Sequence, residues 1–65
     1  MPPKSDWNVT KTDFENLYTV SRFDYIKHAP EYDVIKGSYA IRLYRSNEAF
    51  FRAHELNGMK TEVEY

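Results

Sequence analysis

The sequence predicts a small single α+β domain, with two helices packed on one face of a three- to four-stranded, mostly antiparallel sheet. Three observations predict it. A capping signature opens a helical stretch at Thr12. Two apolar runs flank a Gly37-Ser38 turn. From Lys36 onwards the hydrophobic period changes from strand to helix and back to strand. At 65 residues there is room for one domain, and a domain of this size buries only about 60% of the surface its unfolded chain exposes.

Taken in order, Met1 to Ser5 read as a flexible N-terminus and residues 6–65 as the domain. Trp7-Asn-Val-Thr10 is a short extended candidate with Trp7 and Val9 on one side. Thr12-Asp-Phe-Glu15 has the form of a capping box, and Phe14, Leu17 and Tyr18 follow at helical spacing. Lys27, His28 and Pro30 supply stop signals, which predicts a helix over 13–28. The stretch Tyr18 to Ile26 is also rich in β-branched and aromatic residues, so a strand there is the alternative.

Glu31 to Lys36 and Tyr39 to Arg45 read as a hairpin closed by a two-residue Gly37-Ser38 loop. Pairing outward from the loop sets Lys36 beside Tyr39, Val34 against Ile41 and Tyr32 against Leu43 on one side. Ile35 faces Ala40, Asp33 faces Arg42 and Glu31 faces Tyr44 on the other. A second helix starts at Ser46 or Asn47, carries Glu48 in its first turn and ends at Gly58. Its inward stripe is Ala49, Phe50, Ala53 and Leu56, with Phe51 left partly exposed. Residues 59–65 alternate Met59, Thr61, Val63 and Tyr65 with Lys60, Glu62 and Glu64, as a half-buried strand does. With Trp7 to Thr10 between the two later strands, the sheet would be a trimmed ferredoxin-like one.

Lys36-Gly37, Tyr39-Ala40-Ile41, Tyr44, Ala53 and Leu56-Asn57-Gly58 together resemble the strand motif and following helix of RNA-recognition modules. The resemblance covers roughly residues 36–58. It implies that Tyr39 stacks on a base from an open sheet face, with Lys36 and Arg45 near phosphate. The hairpin register instead points Arg42 outward, against Asp33.

Composition narrows the function classes. The absence of cysteine removes disulfides and thiolate metal sites. Nine basic and ten acidic residues leave a net charge of −1, which disfavours both a non-specific nucleic-acid binder and an acidic DNA mimic. His28 and His54 have no metal-ligand partner at helical spacing, and Gly37 and Gly58 are too few for a phosphate loop. No enzyme activity, metal or cofactor is therefore expected. No apolar run reaches the roughly 18 residues of a membrane span, so a soluble, cytoplasmic protein is expected (in the host cell, if viral).

Six Tyr, four Phe and one Trp exceed what so small a core encloses, and exposed aromatics anchor interfaces. Lys36, Arg42 and Arg45 fall in a segment without acid, and Arg52 adds to it from the helix. The expected function is a non-enzymatic protein-binding module, with Tyr39, Arg42, Tyr44, Arg45, Phe51 and Arg52 at its interface. In composition it is similar to phage or mobile-element inhibitors of host machinery. The alternatives are a single-stranded RNA or DNA binder using the sheet face, and a self-assembling subunit or homodimer whose last strand pairs across a two-fold axis.

Overall fold

The computed structural model describes the backbone of residues 3–63 and the side chains of residues 3–58. Three strands, β1 (Asn8–Lys11), β2 (Tyr18–Asp24) and β3 (Ala29–Tyr32), form an antiparallel sheet in sequence order, and one helix, α1 (Ser46–Val63), follows them. The architecture is thus α+β with a three-stranded sheet and one helix. The two-helix, ferredoxin-like arrangement expected from the sequence is not the one adopted.

The expected helix over 13–28 is not formed: its middle, Tyr18–Asp24, is β2, the central strand of the sheet, and its two ends are turns. β2 pairs Val20 with Val9 and Thr19 with Thr10 on one edge, and Arg22 with Glu31 and Phe23 with Pro30 on the other. Its β-branched and aromatic residues suit a pleated surface with neighbours on both sides. The helix-capping signals close turns instead. The Thr12 hydroxyl accepts from the Phe14 amide at 3.1 Å and donates to the Leu17 carbonyl at 2.8 Å. Asn16 takes φ 60° in the same turn. Between β2 and β3, the Asp24 carboxylate accepts the amides of Ile26 at 2.9 Å and Lys27 at 3.2 Å, and His28 has φ 53°. Thr, Asp and Asn supply the same local hydrogen bonds in turns as at helix starts, which is why the two readings compete. Pro30, which has no amide to donate, stands on the edge strand, where that is tolerated.

Residues Pro3–Ser5 extend the sheet beside the end of β2. The Tyr25 amide donates to the Pro3 carbonyl and the Ser5 amide to the Phe23 carbonyl, each at 2.8 Å. Lys4 stands opposite Asp24 and Asn8 opposite Ser21. Ser5, Asp6 and Trp7 therefore face only Arg22 and Phe23, a β-bulge that frees the Trp7 backbone from the ladder.

After β3 the chain leaves the sheet as a hairpin and returns to it. Asp33 donates its amide to Val20 at 2.9 Å, and Tyr44 and Tyr18 exchange amide-to-carbonyl bonds at 2.8 and 2.9 Å. Between these points Val34 stands opposite Ile41, Ile35 bonds to Ala40 at 2.7 Å, and Arg42 to Asp33 at 2.9 Å. That is the expected register from Asp33 to Ala40. Below Asp33 the arms part, because Tyr32 pairs with Ser21 and Tyr44 with Tyr18, so neither Tyr32–Leu43 nor Glu31–Tyr44 faces the other. The turn is also wider than two residues. Ser38 bonds back to Ile35 at 3.1 Å around Gly37 at φ 87°, the left-handed position a type II turn requires of glycine, and Tyr39 follows at φ 60°.

The helix begins at Ser46 as expected but does not stop at Gly58, whose φ is not positive; it continues to Val63. Residues 59–63 are therefore helical rather than a strand, and they offer no strand for pairing across a two-fold axis. Residues 64–65 of that expected strand lie outside the described residues. Val20 and Ala49 are fully buried and Ala53 nearly so, with Trp7, Val9, Tyr18, Tyr44 and Leu56 packed around them. Two alanines one turn apart let the helix axis approach the sheet closely. Phe50, expected inward, lies about 100° around the axis from Ala49 and is 62% exposed.

Candidate functional site

Asp33 is the hub where hairpin, sheet and helix meet. It sits at the hairpin base and is buried. Its Oδ2 accepts from Arg52 Nε of the helix at 3.0 Å and from the Tyr44 hydroxyl of the returning strand. Arg52 also pairs with Glu55, one turn further on. Burial alone would raise the Asp33 pKa, but the hydrogen bonds from Arg52 and Tyr44 outweigh it and hold the carboxyl below its usual range. Burial, followed by the bond to Asp33, raises Tyr44 above the ordinary phenol value. The bond to Asp33 likewise raises Arg52, which stays charged.

This geometry corrects the expected Asp33–Arg42 side-chain pair. The backbones of the two residues do pair, but Arg42 Nε turns to the Val34 carbonyl at 3.3 Å and the helix supplies the carboxylate's partner. Arg42 is left exposed at the surface.

Beside the hub, Tyr44, Asn47, Glu48, Phe51 and Arg52 line an open groove of about 480 Å³. Three residues expected at the interface, Tyr44, Phe51 and Arg52, thus share one place. Phe51 is 71% exposed, as expected, whereas Tyr44 and Arg52 are half-buried and engaged by Asp33. Arg45 is exposed just before the helix. Tyr39 stands apart at the hairpin tip and is 93% exposed. It lies on the hairpin loop, not on the sheet face from which the resemblance to RNA-recognition modules would have it stack.

The hairpin also carries aliphatic side chains that are not among the residues expected at the interface. Val34, Ile35, Ile41 and Leu43 are all exposed, because the hairpin leaves the sheet edge instead of packing its apolar side on a helix. The signal for them is the alternation itself, which makes one hairpin face largely apolar without showing whether that face is covered.

A second charged group lies at the other end of the helix-bearing sheet face. Glu31 Oε2 accepts from Lys4 Nζ at 2.9 Å and Arg22 Nε at 3.1 Å, and the Arg22 guanidinium stands 4.5 Å from the Trp7 ring centre. Arg22 and Glu31 are direct cross-strand partners, so this row ties β2 and β3 to the segment that precedes β1. Burial opposes ionisation of Glu31, but the bonds from Arg22 and Lys4 prevail and lower its pKa.

Among the described residues, no cluster of three or more His, Cys, Asp or Glu side chains could hold a metal ion, and no helix is long and apolar enough to cross a membrane. The features define a small α+β domain with an apolar hairpin projecting from a charge-latched base. Compared with protein-family models, curated proteins and solved structures, the chain matches none.

Proposed function

We propose that this chain is a non-enzymatic, cytoplasmic protein-binding module that acts by occupying the surface of another protein. The observation that carries the reading is the imbalance between inside and outside. The buried hydrophobics among the described residues are Val20, Ala49 and Ala53, while Tyr39, Phe50, Phe51 and the hairpin aliphatics stand exposed. Apolar surface on this scale, gathered on a hairpin and the adjoining helix, marks an interface in a small domain. Blocking or modulating a partner, as small phage-type inhibitors do, needs no more than such a surface.

The test is affinity capture with the tagged full chain from cells of its native host, with and without nuclease. A protein should be retained after nuclease treatment, and its complex with the chain should reconstitute from purified components. Retention that depends wholly on nucleic acid would move the chain to the oligonucleotide-binding class.

A further inference from the structure

We propose that hairpin 34–43 is the element that inserts into the partner, and that it enters a protein cleft with an apolar floor and an acidic rim, Tyr39 leading. The inference rests on the protein-binding reading above and assigns its contact element and partner chemistry.

Three observations converge on the hairpin. Its tip residue is an aromatic at φ 60° that is 93% exposed. Backbone in the left-handed region is disfavoured for a bulky side chain, and residues held so concentrate where binding uses them. Both arms carry aliphatic side chains, Val34 and Ile35 on one and Ile41 and Leu43 on the other, each 40% to 48% exposed. Somewhat under half of their surface is thus left for a partner to cover.

The third observation is charge. From Val34 to Asn47 the chain carries Lys36, Arg42 and Arg45 and no Asp or Glu. Asp33 and Glu48 border the run; Asp33 takes Arg52 and Tyr44 as its bonded partners, and Arg42 acts on it only through charge, without a salt-bridge contact. An apolar wedge flanked by cations fits an apolar cleft flanked by carboxylates. The base that holds the wedge is already ordered, by the Asp33 latch and by the Tyr18–Tyr44 bonds. Little ordering then remains to oppose binding.

The same charge argues against the other occupants. A second copy docked hairpin to hairpin would set the cations of one against those of the other across the two-fold axis. A nucleic acid would find aliphatic side chains where a stacking platform needs aromatic ones, on a chain whose net charge is −1.

The test installs the photo-crosslinker benzoylphenylalanine at position 39 of the full chain and, as a control, at position 26. Ile26 is 75% exposed on the turn at the far end of β2. Irradiation in host cells is followed by sequencing of the crosslinked partner peptide, and affinities are then measured with that purified partner. The expected result is an adduct from position 39 and not from 26, mapping to apolar residues flanked by Asp or Glu. Tyr39→Ala and Arg42→Glu should each weaken the complex at least tenfold while Ile26→Ala leaves it unchanged, and affinity should fall with salt. An adduct from 26 alone, or a complex indifferent to Tyr39→Ala and Arg42→Glu, overturns the hairpin assignment and leaves the binding-module reading standing. An adduct only with a second copy replaces the cleft by self-association. A nuclease-sensitive adduct, or none from either position in a chain that also captures no protein, overturns both.

Discussion

Asn57 holds the backbone of Trp7 from fifty residues away in sequence: its Oδ1 accepts the Trp7 amide at 2.8 Å and its Nδ2 donates to the Trp7 carbonyl at 3.2 Å. The β-bulge turns these two backbone groups out of the ladder, and the helix side chain satisfies both. One amide thereby fixes the helix against the bulge that leads into β1. Asn57→Ala leaves a donor and an acceptor unsatisfied in a half-buried place, and is expected to destabilise the fold by about 1–3 kcal/mol. Asn57→Asp keeps the acceptor and loses the donor, so it should fall between. Equilibrium urea unfolding measures both, and a loss below about 0.5 kcal/mol for the alanine variant would rule out this clasp.

Gly58 lies within α1, at an exposed position where an added Cβ would meet nothing within 4 Å. Gly58→Ala should therefore stabilise the protein by about 0.5–1 kcal/mol, because alanine loses less backbone freedom on folding into a helix. Had the helix ended here in a left-handed cap, the same substitution would destabilise. Thermal unfolding followed by circular dichroism separates the two signs.

The pH dependence should be set by three carboxylates and one phenol. The Asp24 pKa is lowered, first by the Lys27 amide and then, against some burial, by the Ile26 amide; Asp33 and Glu31 are lowered by the cations bonded to them. Each binds its proton less readily in the folded chain than in the unfolded one. The stability they contribute is therefore present above the ordinary values of 3.8 for Asp and 4.5 for Glu, and is lost as pH falls through the lower folded values. Tyr44 runs the other way. Its raised pKa means that its contribution is complete below the ordinary value of 10.0 and is lost as pH rises through the folded value. Melting temperature should form a plateau between these limits, with an acid limb that Asp33→Asn makes shallower. An acid limb of unchanged slope in that variant would exclude Asp33 as a contributor.

Tyr39 at φ 60° separates stability from binding. Tyr39→Gly relieves the left-handed strain while giving the unfolded chain more freedom, so the net change should stay within about 1 kcal/mol of zero. The same variant should bind its partner more weakly, by the reasoning that makes the tip the leading contact. A loss of stability beyond about 1 kcal/mol would show that the ring supports the fold.

Much of the local structure was legible from residue pattern. The pairing of Val34 with Ile41 and of Asp33 with Arg42 and the helix start, expected at Ser46 or Asn47 and found at Ser46, rest on neighbours in the chain; the extended stretch expected at Trp7 to Thr10 is found one residue on, at Asn8–Lys11. Tyr18 to Asp24 carried the residues of a strand between the punctuation of a helix. Partners on both edges, Asn8–Lys11 and Ala29–Tyr32, decided in favour of the strand. A central strand exists only when both neighbours are in place, and a local window does not contain them.

The candidate site divides in the same way. Exposure of Phe51 and the cationic run of the hairpin follow from composition and helical angle. That Arg52, rather than Arg42, takes the Asp33 carboxylate follows from the docking of α1 on β1 and β2. The sequence by itself determined the hairpin pairing from Asp33 to Arg42 and the helix start, because these depend on residues a few positions apart. Only the tertiary structure decided which residues are buried, which cation meets Asp33 and which apolar face is left open. Those depend on contacts between distant segments, whose free energy outweighs local propensity.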